Sequence, residues 1–243
     1  MINRDWLIAG IDIPIVDYEI IMHNPSVKEI LSFESQNFFV ALQFLSLDKN
    51  DVSVTEDVDL AKLSDFQILM QIINLDNGDK KFILKKTLEL LFPEYKIYIT
   101  PRSIVLTLDD FSLTIDELNF NILKQVLRDV FVLELDSFNS EYRPANKKAA
   151  EIMAKLEKAK QRAAMVDNKQ FNKGTSILAK GVSVLSVGLE TSYQEILDLT
   201  MFQYFDLFKR LLLKVEWDLY IKQLLVGGKP DPVDNWLEKD LYL

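Results

Sequence analysis

"YKIYITPRSIVLTL", residues 95–108, decides the fold class, because the period of the apolar residues changes there. Upstream, "KLSDFQILMQIINL" (62–75) and "KKFILKKTLELLF" (80–92) return to apolar residues every three or four positions, the spacing of one helix face. Within 95–108 the apolar residues alternate instead, on both sides of "TPR". A period of two places side chains on opposite faces of a strand, and two such runs around a short turn predict a β-hairpin. A chain of helical period interrupted by a hairpin belongs to the α+β class.

Outward from that point, Ile-rich residues 7–22 predict a second hairpin, turning over Pro14 to Asp17. A helix follows with Asn24 as N-cap and Pro25 at its first position, then another from Ser35 to about Leu47 with Phe38, Leu42 and Leu45 on one face. Thr114 and Glu117 stand at capping-box spacing and predict a helix running to about residue 133. Residues 136–146 are polar and turn-rich, the composition of a linker. Beyond it Ser192 with Glu195, and Thr200 with Gln203, predict a short helix and then a long one, which ends at Gly227-Gly228. The tail adds a short helical turn around Trp236. The expected architecture is predominantly helical α+β. An N-terminal α+β domain (1–140) carries small antiparallel hairpins with helices on one face, and a C-terminal helical domain (147–243) begins with a basic helix. Whether that second unit is independent stays open.

The totals narrow the function. The 243 residues carry 28 Lys and Arg against 37 Asp and Glu, a net charge of −9, which argues against general nucleic-acid binding. There is no cysteine, so disulfides, thiolate metal sites and cysteine nucleophiles are excluded, in keeping with a reducing cytoplasm. No secretory signal is visible, and the best membrane candidate, "SILAKGVSVLSVGL", has 14 residues and contains Lys180. Phosphate-loop, dinucleotide and nucleophile-elbow motifs are all missing. The single histidine, His23, reads as a polar residue before a helix, and the acidic pairs Asp109-Asp110 and Asp116-Glu117 fit a turn and a helix N-terminus. No catalytic residue, cofactor or metal is expected, and the chain is read as a non-enzyme.

One segment departs from the acidic background. Residues 143–173 hold nine basic and three acidic residues, a charge of +6 that leaves −15 for the remainder. With Ala149, Ile152, Leu156, Ala159, Ala163 and Val166 at heptad positions a and d, Lys148, Lys155, Arg162 and Lys169 all fall at g. Cations beside a narrow apolar seam are how one helix addresses another with acidic flanks. The seam is alanine-rich and buries little on its own. The partner is either an acidic helix of the same chain or another protein. A membrane is disfavoured because the seam lacks the Trp, Phe and Leu that insert. Nucleic acid is disfavoured because no aromatics interleave with the cations. The long C-terminal helix, with Phe202, Phe205, Phe208 and Trp217, is apolar on most sides. Such a helix is either a central core element or a surface for a protein partner.

"GIDIPI", "YEIIMHNPSVKEI", "NFFVALQFL", the lysine-rich "NKKAAEIMAKLEKAKQ", "EILDLTMFQYFDLFKRLLLK" and "VDNWL", in this order along most of the chain, resemble the tail assembly chaperone-type proteins of long-tailed phages of Gram-positive bacteria. The resemblance implies a non-enzymatic protein of the host cytoplasm that holds the helical, aggregation-prone tape measure protein until tail tube subunits polymerise around it. It implies a protein partner (tape measure or tail tube protein), no nucleic acid, no membrane and no cofactor, with homo-oligomerisation open. Two alternatives stand beside it: a structural component of the tail or its tip, and a phage protein sensed by, or inhibiting, a host defence system. The residues expected to contact a partner are Lys148, Lys155, Arg162, Lys169, Ile152, Leu156, Phe202, Phe205, Phe208 and Trp217.

Overall fold

The fold is described from a computed structural model, over residues 2–33, 35–47, 63–75, 78–131, 176–229, 232–233 and 235–237. It is α+β and mostly helical, with two small antiparallel sheets and helices toward the C-terminus. The expected linker and the basic segment 143–173 lie outside the described residues.

The hairpin that decided the class is present as β3 (Lys96–Ile99) and β4 (Ile104–Leu108). Its turn is held by Thr100, whose hydroxyl accepts from the Ser103 amide at 2.9 Å. A third strand, β5 (Phe111–Ile115), completes the sheet in the order β3-β4-β5. The register aligns Ile99, Ile104 and Ile115, all buried, on one face, with Tyr98, Val105 and Thr114 on the other. Thr114 is therefore a strand residue. The capping box expected at Thr114 and Glu117 does not form, and the helix begins later, as Phe120–Phe131. The connection is closed instead by Asn119, whose side-chain oxygen accepts from the Asp116 amide and whose NH2 donates to the Thr114 carbonyl. Asp109-Asp110 forms the β4–β5 turn as expected, with Asp109 at a φ of 48°, a left-handed conformation that Asp tolerates better than most residues.

At the N-terminus, helix α1 (Arg4–Ala9) takes residues expected to be strand. Asn3 caps it, and Gly10 ends it at a φ of 69°. The hairpin is confined to β1 (Ile13–Ile15) and β2 (Ile20–Met22), so Pro14 lies within a strand and the reversal is a 3-10 turn at Val16–Tyr18. The Tyr18 hydroxyl donates to the Asn119 carbonyl at 2.7 Å and accepts from the Leu123 amide at 3.3 Å. Burial pushes its pKa up to about 12, so it stays a neutral donor. Helix α2 (Val27–Ser32) is capped by Ser26, not by Asn24, in a capping box with Glu29. Asn24 is pulled inward, where its amide donates to the Asp12 carboxylate at 2.9 Å.

Helices α3 (Ser35–Leu45), α4 (Asp65–Asn74), α5 (Asp79–Leu91) and α6 (Phe120–Phe131) share one apolar core with the buried isoleucine face of the sheet, whose other face is open at Tyr98. Phe38 of α3 meets Phe131 of α6 edge-on, with ring centroids 5.5 Å apart. Asp65 at the start of α4 pairs with Lys124 of α6, both side chains nearly out of solvent. Then come α7 (Ile177–Leu189), α8 (Tyr193–Leu197) and α9 (Met201–Leu225). Leu178, Val182, Leu185, Ile196, Met201, Phe202 and Tyr204 from these three share one apolar core with the N-terminal elements. That core is shared because the chain closes on itself: Val27 donates its amide to the Leu199 carbonyl at 2.8 Å, beside a Ser26–Thr200 bridge.

Two predictions follow from this packing. A Cβ at Gly181 would lie 1.7 Å from the hydroxyl of buried Tyr204. Alanine gains about 1 kcal/mol of helix propensity over glycine, but forcing a core side chain aside costs about 1–3 kcal/mol. Gly181→Ala is expected to lower stability in urea unfolding, with part of the loss recovered in Gly181→Ala/Tyr204→Phe. Second, the Glu195 carboxylate accepts from the Thr191 hydroxyl, the Ser192 amide and the Ser192 hydroxyl, which hold its pKa at about 2. A depressed carboxyl stabilises the fold above its ordinary pKa of about 4.5 and loses that contribution as pH falls toward 2. The pH dependence of unfolding between those values should flatten in Glu195→Gln.

Candidate interaction surface

The surface begins with the cap of α9. The Thr200 hydroxyl accepts from the Gln203 amide, and the Gln203 side chain accepts from the Thr200 amide at 2.9 Å, the reciprocal pair expected from the sequence. The Gln203 side-chain NH2 also donates to the Ile8 carbonyl of α1 at 2.7 Å. Met201, Phe202 and Tyr204 sink into the core, so the first turn is fixed on several sides.

Beside it runs α7. Gly181 lies against Tyr204, and Gly188, seven residues on, lies against Leu211, seven residues beyond Tyr204. Equal steps in the same sense make the two helices parallel, and the missing Cβ atoms let them approach closely. The partnership ends at Leu189, where the chain turns out through Glu190 at a φ of 54°. Helix α9 continues to Leu225, about 21 Å further at 1.5 Å per residue.

The overhang is apolar. Leu212, Val215, Leu219 and Val226 lie on one stripe at heptad spacing and are 51%, 48%, 53% and 84% exposed. The stripe extends the half-buried Phe205 and Phe208. Glu216 flanks it on one side and Asp218 on the other, and neither has an ion-pair partner among the described residues. Behind it, Trp217 packs on Tyr220 with ring centroids 5.6 Å apart, both half-buried. Covering one half-exposed Leu or Val recovers about 1 kcal/mol, so the stripe gains appreciably from a partner with a matching apolar seam.

The sequence left α9 open between a core element and a partner surface, and along its length the helix changes from buried to exposed. Its first turn is core, and along its second half Leu212, Val215, Leu219 and Leu225 are 51%, 48%, 53% and 81% exposed, beyond the end of α7 at Leu189. Of the residues expected to meet a partner, Phe202 is a core residue that anchors the helix. Phe205 and Phe208 lie where core becomes surface, and Trp217 is on the overhang. Lys148, Lys155, Arg162, Lys169, Ile152 and Leu156 lie outside the described residues. Sequence reading singled out none of Leu212, Val215 and Leu219 as contacts, although their heptad spacing was available.

Elsewhere, each ring nitrogen of His23 faces a carboxylate, Nδ1 to Asp12 at 2.9 Å and Nε2 to Glu29 at 3.2 Å. Its backbone amide donates to the Leu91 carbonyl at 2.8 Å, so His23 joins β2 to the ends of α2 and α5. Hydrogen bonding to Ser26 and His23 outweighs desolvation and holds the Glu29 carboxyl below its ordinary pKa. Among the described residues no group of three His, Asp or Glu is placed to hold a metal ion, and no helix is long and apolar enough to cross a membrane. No family model matches the chain, and no curated protein and no solved structure matches it.

The split within α9 has a direct test. Phe202→Ala should cost about 3–5 kcal/mol in denaturant unfolding, as a large core deletion. Leu219→Ala, on the overhang, should cost less than about 1 kcal/mol. Equal losses would mean that the overhang is packed in the folded protein.

Proposed function

We propose that the protein is a non-enzymatic binding protein that holds a helical, aggregation-prone client, in the manner of the phage tail assembly chaperones its sequence resembles. The client is then the tape measure protein, and the site of action is the host cytoplasm. The observation that carries this reading is the overhang of α9, a rigidly based helix whose heptad stripe of Leu212, Val215 and Leu219 is half exposed. An amphipathic client helix laid along it would bury both apolar seams, a common mode of helix recognition. The acidic flanks Glu216 and Asp218 favour a client with basic residues beside its seam.

Co-expression tests it. The wild-type chain should raise the soluble fraction of the tape measure protein and co-purify with it. Leu212→Lys/Val215→Lys/Leu219→Lys should fold normally by circular dichroism and lose both effects. Client solubility that is unchanged by the wild-type chain, or unaffected by the triple substitution, would overturn the reading.

A further inference from the structure

We draw no further inference here: the strongest candidate, the cleft between α5 and the edge strand β3 lined by Lys85, Glu89, Tyr95, Lys96 and Tyr98, carries nothing because nothing in the structure shows what covers it.

Discussion

Everything distinctive in this molecule depends on two helix N-caps meeting. Ser26 caps α2 and Thr200 caps α9, and the two residues pair across an isolated antiparallel bridge, with the Val27 amide donating to the Leu199 carbonyl. A capping residue has extended backbone, so two of them side by side form a short two-stranded contact without needing a strand on either side. The geometry fixes where both helices start and which way they point. Gln203 adds a third tie, since one side chain completes the α9 cap and bonds the Ile8 carbonyl. Substituents on Gly10 have no room there, because a Cβ would lie 2.9 Å from the Gln203 amide nitrogen.

From that base the length of α9 becomes a mechanical fact. Its first turn is anchored in the core and α7 supports it as far as Leu211, through close approaches at Gly181 and Gly188. Support then stops while the helix goes on. A free helix of this length would be marginal in water, but one nucleated by a capped, buried first turn has already met the cost of initiation. The stripe is therefore presented in a fixed direction rather than on a loose tail.

Much of the helical frame was legible in the sequence because its start signals are local. Ser192-Glu195 and Thr200-Gln203 are written within four residues and form as written. The same rule failed at Thr114-Glu117, where the alternation of Phe111, Leu113 and Ile115 is a strand signal and pairing with β4 wins over a cap. It failed more mildly at Asn24, where the nearby Asp12 carboxylate drew the backbone amide and left Ser26 to cap α2. Helix α1 was hidden by its Ile-rich surroundings, although Asn3 before it and Gly10 after it are ordinary boundary residues. What no local rule could supply is burial along α9. Phe202 and Leu219 look alike in the sequence, and only the end of α7 at Leu189 separates core from surface.

An exposed apolar helix is a liability in a protein that must not aggregate, and the overhang shows how the liability is contained. Lys214 and Asp218 run down one side of α9 and Glu216 and Gln223 down the other, so the apolar residues form two narrow stripes instead of one broad patch. A net charge of −9 adds long-range repulsion between copies, which favours solubility. Two α9 helices set antiparallel about Trp217 would bring Glu216 against Glu216 and Asp218 against Asp218, a repulsion that disfavours self-pairing. A helix with cations beside its seam meets no such penalty. For the client proposed above, the flanking carboxylates would bear on which helix is accepted, and the apolar seam on how tightly it is held.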